Sequence, residues 1–257
     1  MLKIEDLHVK AESTKILKGF NIKIKPGEIH VLFGPNGSGK SSLCNVLMGH
    51  PDYSVEKGKM EFNNKDLMKL STEERSQEGL FLGSQQPREI PGVSLAQVMK
   101  AAIKSRKNKE GDQLELFNLA NELRDQLKTF DMEEAFLKRS LNEGASGGEK
   151  KRLEMIQLRV LKPKLAILDE IDSGLDIDAI RQIAETIKKT ATEGTSFLLV
   201  THYQRLLQYL EPDKVYIMVK GQVVKSGGYS LVEQLEKEGY KNLINDLEDL
   251  EKVDGSK

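Results

Sequence analysis

Hydrophobic and polar positions alternate in short stretches along the first third of the chain, broken by turn-forming residues. Leu2, Ile4, Leu7 and Val9 roughly alternate with polar neighbours, and Ile22 and Ile24 do so strictly, a period of two that predicts strands. Pro26-Gly27 turns the chain into Glu28-Ile29-His30-Val31-Leu32-Phe33, mostly apolar, which predicts a buried strand. A glycine-rich loop follows, then a helical stretch over 41–48, a strand over 59–62, and Ser71-Thr72-Glu73-Glu74, which reads as a helix-capping box. From about 87 to 161 the alternation gives way to helix-favouring polar sequence over 94–104, 113–129, 133–139 and 148–161. The remainder returns to alternating elements. Apolar strands over 165–168 and 197–200 flank a helix over 176–191, and Lys220-Gly221 joins a hairpin of 215–219 with 222–225. The tail from 230 to about 252 is charged, with Leu231, Leu235, Leu243, Ile244, Leu247 and Leu250 at helical spacing, and predicts a helix packed on the domain surface, with a docking surface for a partner as the alternative.

With 257 residues the chain can bury a substantial core. Its 39 basic and 40 acidic side chains leave a net charge of -1, which argues against a protein that coats nucleic acid but not against an anionic small ligand. One cysteine, Cys44, excludes a disulfide scaffold or a cysteine-built cluster site from a single chain, and on its helix it reads as a small buried filler, with a redox switch as the alternative. The start MLKIEDLHVK lacks a secretory pattern, and the apolar runs fall far short of the ~18 residues of a membrane span, so a cytoplasmic protein is expected.

The chemistry begins with Gly34-Pro35-Asn36-Gly37-Ser38-Gly39-Lys40-Ser41, a match to the phosphate-binding pattern G-x-x-x-x-G-K-[ST]. Background residue usage makes a chance match about a 1% event over the chain, and this one lies between a buried strand and a helix, as the mechanism needs. The glycines let successive N–H groups turn inward on phosphates, and the helix N-terminus adds positive partial charge. Lys40 is expected at the β- and γ-phosphates, Ser41 on Mg²⁺, and Ser42 on the α-phosphate side. Leu165-Ala166-Ile167-Leu168 ends in Asp169-Glu170. Asp169 fits a Mg²⁺-holding carboxylate, and Glu170 fits the group that polarises the water attacking the γ-phosphate.

Ala145-Ser146-Gly147-Gly148-Glu149-Lys150-Lys151-Arg152 opens a helix shortly before that acidic strand. The conjunction resembles the signature of ATP-binding-cassette (ABC) ATPases, and the resemblance covers essentially the whole chain. It implies an α/β P-loop NTPase of ABC type: a mixed-sheet core, an antiparallel β subdomain and an inserted helical subdomain. The parts are 1–86 (core with the phosphate loop), 87–161 (helical subdomain ending in the signature helix) and 162–257 (the rest of the core). The same resemblance makes Gln85 the Q-loop glutamine that senses Mg²⁺, Ser173-Gly174-Leu175-Asp176 the D-loop, and His202 the switch histidine at the γ-phosphate. It implies that Ser146, Gly147, Gly148 and Asp176 serve a nucleotide across a two-fold pair, so that two chains sandwich two ATP molecules.

A finer resemblance, carried by residues 85–93, 146–152, 167–179 and 201–207 with Glu211-Pro212-Asp213, is to the ATPases of SUF iron–sulfur cluster assembly. Glu149 stands where generic transporters carry glutamine, and Ile171-Asp172 where they carry Pro-Thr. The implied partners are the SufB and SufD scaffold proteins and, transiently with ATP, a second copy, with no nucleic acid and no membrane insertion. A transporter ATPase, an ABC protein of translation or DNA repair, and a non-hydrolysing ATP-gated module are the competing readings. Lys151 is expected to pair with Glu170 or Asp172 and hold the base from water. No aromatic residue precedes Phe20, so the adenine-stacking position near Lys10 or Ala11 is unfilled and ATP-over-GTP selectivity is left open.

Overall fold

The computed structural model describes residues 1–105, 112–201, 205–235 and 237. The chain opens with β1 (Leu2–Ala11) and β2 (Thr14–Ile24), passes through β3 (Ile29–Phe33) and helix α1 (Lys40–Met48), and returns in β4 (Tyr53–Phe62) and the short β5 (Lys65–Asp66). Next come α2 (Thr72–Gln77), β6 (Leu80–Gly83), β7 (Ile90–Ser94), α3 (Leu95–Ser105), α4 (Asp112–Thr129) and β8 (Ser140–Leu141). The last third holds α5 (Gly147–Leu161), β9 (Leu165–Asp169), α6 (Ile177–Thr192), β10 (Ser196–Thr201), β11 (Lys214–Val219) and β12 (Gln222–Gly227).

Strands β2-β1-β4-β5 make an antiparallel sheet, and β12-β11-β3-β10-β9-β6 make a six-stranded one in which only β12, on the edge, runs antiparallel. Period-two alternation divides the parallel strands between two cores. Val31, Phe33, Ala166, Leu168, Phe197 and Leu199 face the helices, whereas Leu32, Leu165, Ile167, Leu198 and Val200 face α1 and the antiparallel sheet. Both faces are covered, which is why these strands read as continuous apolar runs. Because β3, β6, β9 and β10 are parallel, the loops after them open at one end of the sheet, where ligands bind in open α/β sheets.

The three-residue step from Ile4 to Leu7 marks a bulge. The pairing jumps from Ile4–Ile22 to Leu7–Phe20, and Asp6 takes a φ of 47°. On β4, a side chain at Gly58 would start 2.4 Å from the Asp6 carbonyl oxygen, so only glycine passes.

Three expectations need correction. The 87–161 block is not purely helical, since β7 pairs with β8 fifty residues on. Residues 133–139 give only a 3₁₀ turn, Glu134–Leu137. The strand expected at 59–62 begins at Tyr53. The expected tail helix is described over 230–235 and at 237, with Leu231, Val232 and Leu235 buried; residues 236 and 238–257 lie outside the described residues. Among the described residues no helix is long and apolar enough to cross a membrane.

Candidate active site

The loop between β3 and α1 is held tightly from behind. A side chain at Gly34 would start 2.3 Å from the Met218 carbonyl oxygen, Gly221 N–H donates to the Ser38 carbonyl at 2.9 Å, and Gly37 and Gly39 take φ values of 78° and 103°. Asn36 and Gly37 are exposed at the tip, while Pro35 is half-buried. Gly39 caps α1 without a side-chain bond, so the first N–H groups of that helix keep their donor capacity. Lys40 is 5% exposed and donates to the carbonyls of Gly34 (2.7 Å) and Pro35 (3.0 Å). Burial lowers its pKa, against the pull of Glu170 and Asp169. Ser42 lies one residue beyond Ser41, and its hydroxyl accepts from Tyr53 at 3.4 Å.

At the end of β9, Asp169 is buried, and burial raises its pKa against a hydrogen bond from Ser41 and the charge of Lys40. Its Oδ1 is buried with no partner. An orphaned carboxylate oxygen beside a serine hydroxyl is a hard oxygen donor set, which fits Mg²⁺. Glu170 is buried, with a φ of 52°, and its N–H donates to the Val200 carbonyl at 2.8 Å. This left-handed residue sends its carbonyl one way and its side chain the other. The carboxylate accepts from Gln85 Nε2 at 2.6 Å.

Lys151 does not bear out the expected carboxylate pairing. Its ammonium donates to the Glu170 carbonyl (2.5 Å), the Ser173 carbonyl (2.7 Å) and the Ser173 hydroxyl (2.6 Å). The positive φ of Glu170 turns the carbonyl towards the lysine, and Asp172 instead accepts from Thr201 Oγ1 at 3.1 Å.

Lys40, Ser41, Asp169, Glu170 and Gln85 thus stand together at the C-terminal ends of β3, β9 and β6. Ser146 does not join them. It caps α5, accepting the Glu149 N–H at 3.3 Å while the Glu149 carboxylate accepts the Ser146 N–H at 2.7 Å. Those bonds hold the Glu149 pKa below its ordinary value. Ser146 and Gly147 are exposed, and Gly148 approaches Leu175. Asp176 uses its carboxylate to cap α6, accepting the Ala179 N–H at 2.8 Å. His202 lies outside the described residues.

Two contributors were not anticipated. Tyr53 on β4 pairs with Ala11, beside the position where an aromatic residue was sought. Glu154 grips Ser84, and its spacing was the available signal: Lys151, Glu154 and Leu158 fall at i, i+3 and i+7, one face of a helix.

A family model described as "ABC transporter" matches residues 17–173. The chain belongs to the ABC family of ATP-binding proteins and is an ATPase of that class. Within it, the chain is 46% identical over 93% of its length to a protein of Escherichia coli (strain K12) named "Probable ATP-dependent transporter SufC", covering 97% of that protein. It is 49% identical over 96% of its length to "Vegetative protein 296" of Bacillus subtilis (strain 168), covering 94% of that protein. Among solved structures, an ATP-binding subunit of an ABC transporter superposes with a TM-score of 0.79 at 22% identity, over 95% of this chain and 99% of that one. A dimeric bacterial ABC transporter cassette gives 0.74 at 21%, over 89% and 98%. These two show the fold.

Proposed function

We propose that this chain is the ATP-hydrolysing subunit of a SUF-type iron–sulfur assembly machine, working on a SufB–SufD scaffold as an ATP-dependent pair of copies in the cytoplasm. The observation that carries the reading is the meeting of Lys40, Ser41, Asp169, Glu170 and Gln85 at one sheet end. The near full-length similarity to SufC supports the choice of machine.

In this reading the loop from Gly34 to Ser42 cradles the triphosphate, with Lys40 exchanging its two loop carbonyls for phosphate oxygens. Mg²⁺, when bound, neutralises charge on the β- and γ-phosphates; Ser41, Asp169 and Gln85 are the residues to hold it. Glu170 accepts a proton from the attacking water. In the single chain its Oε2 accepts from Gln85 Nε2, a bond that orients the carboxylate for that role. The exposed Ser146-Gly147-Gly148 turn serves the triphosphate of a second copy, Asp176 completes the pair's contacts, and His202 meets the γ-phosphate and the attacking water. Closure of the pair on ATP deforms the scaffold and exposes its cluster-building site, and loss of the γ-phosphate removes the bridge so that the pair opens.

Glu170→Gln with ATP is expected to trap a pair seen by analytical ultracentrifugation, and Lys40→Ala to abolish nucleotide binding. Coexpression with SufB and SufD is expected to give a complex holding two copies and faster ATP hydrolysis. A relative named as a transporter keeps a permease partner as the second reading. Copurification with a multi-spanning membrane protein, without capture of the scaffold, would decide for it.

A further inference from the structure

Helix α5 carries two buried charged side chains three residues apart, and each takes hold of a different strand end. Lys151 holds the carbonyls of Glu170 and Ser173, beyond β9. One turn on, Glu154 is 7% exposed, and its Oε1 accepts the Ser84 N–H at 2.9 Å and the Ser84 hydroxyl at 3.3 Å. Ser84 is the first residue beyond β6 and directly precedes Gln85. The second oxygen of Glu154 is buried with no partner.

A carboxylate in such surroundings is unfavourable by itself. Burial pushes its pKa up to about 7, against the Ser84 bonds and the charge of Lys151. Packing alone would be served better by an apolar side chain of similar length, so the value of the carboxylate lies in what it holds.

We propose that Glu154 is a positioning residue for hydrolysis: by fixing the Ser84 N–H it aims the chain leaving β6, so that the Gln85 amide meets the Glu170 carboxylate. The inference rests on the roles proposed above for Gln85 and Glu170. Because Lys151 sits on the same helix, both partners of the Gln85–Glu170 contact are set from one rigid element, and the exposed Ser146 turn is the end of that element. A displacement of α5 therefore acts on both partners together.

The test compares Glu154→Met, which matches the side chain in length but accepts no hydrogen bond, with Glu154→Gln, which keeps an acceptor. In the full chain, Met is expected to speed hydrogen exchange of the Ser84 amide at least tenfold and to lower kcat for ATP about tenfold, with nucleotide affinity unchanged. Gln is expected to restore both. An unchanged kcat in a folded Met variant overturns the proposal, as does a fall in nucleotide affinity that accounts for the lost activity. Should the Met variant not fold, Glu154→Ala is read against the same outcomes. Glu170→Gln is the control: parental turnover there removes the role given to Glu170, whereas the Ser84 exchange still reports the Glu154 contact by itself.

Discussion

Helices α1 and α5 both begin after glycine-containing turns, yet they are secured in opposite ways. The N-terminus of α1 has no side-chain cap, and its last turn is pinned: the buried Arg75 guanidinium donates to the carbonyls of Val46 (2.7 Å), Leu47 (2.9 Å), Leu67 (2.6 Å) and Leu70 (3.0 Å). The N-terminus of α5 is filled by its own Ser146–Glu149 box, and the helix takes hold of the core from its middle onward, at Lys151 and Glu154 and, in its last turn, through Arg159, which donates to Glu193 (2.6 Å) and Thr190 (3.0 Å). A helix anchored at its far end with open donors at its near end is a fixed cradle. A helix anchored from its middle onward, with a self-capped and exposed tip, can act as a lever. The difference suits the roles proposed above, binding for the phosphate loop and transmission for α5.

The largest effect should come from cutting the cradle's anchor. Arg75→Met removes the donor to the Leu47 and Leu70 carbonyls, at about 1–3 kcal/mol each, while those of Val46 and Leu67 keep the Gly49 and Leu70 N–H groups; a net loss of about 4 kcal/mol is expected in urea unfolding. A loss below about 1 kcal/mol would mean that α1 is held by its packing alone. Next is the lever's buried carboxylate. Glu154 has its pKa raised from 4.5 to about 7, so below pH 4.5 it is protonated in both folded and unfolded chains and contributes nothing. As pH rises through that interval the unfolded chain ionises first and stability falls, reaching a constant deficit of about 3 kcal/mol above pH 7. Glu154→Gln should therefore flatten the decline between pH 5 and 7 and be the more stable protein at pH 8. A parallel pH profile in the two proteins would show that Glu154 is ionised as in water.

These regions also differ in how much of them could be read from the sequence. The phosphate loop, the acidic end of β9 and the capped start of α5 are local patterns whose residues lie within a few positions of one another. The β7–β8 ribbon was not legible, because Ile90-Pro91-Gly92-Val93 reads as a turn until Ser140 and Leu141 are brought beside it. Arg75 and Glu154 belong to no motif: their partners are carbonyls and an N–H supplied by distant segments, and the helical spacing of Glu154 shows only the face it shares with Lys151. Lys151 was placed against the right residue but the wrong atoms, since the left-handed turn at Glu170 is invisible in an Asp-Glu pair. The bulge in β1 was visible, as a three-residue step in an otherwise alternating strand.

The smaller effects lie at the tip of the lever. Ser146→Ala removes the acceptor of the Glu149 N–H and should cost about 1 kcal/mol of stability, a shift within reach of thermal unfolding. In the proposed pair it should also weaken ATP-dependent association while leaving nucleotide binding by the single chain intact.

Glu149→Gln sharpens the comparison most finely, because its two effects have opposite signs. The amide oxygen can still accept the Ser146 N–H, so the box survives, but the negative charge at the helix N-terminus is lost, at about 0.5 kcal/mol. That same charge, kept ionised by its bonds to Ser146, sits at the turn that the proposed pair offers to the second copy's triphosphate. Removing it should relieve repulsion, so in a Glu170→Gln background with ATP the concentration for half-pairing should fall about threefold at low salt. Because charges this exposed are screened within about 8 Å at physiological ionic strength, the gain should shrink as salt rises. Pairing that weakens, or a gain indifferent to salt, would mean that Glu149 does not meet the phosphates. The tip of α5 would then act by shape alone, through Gly147 and Gly148.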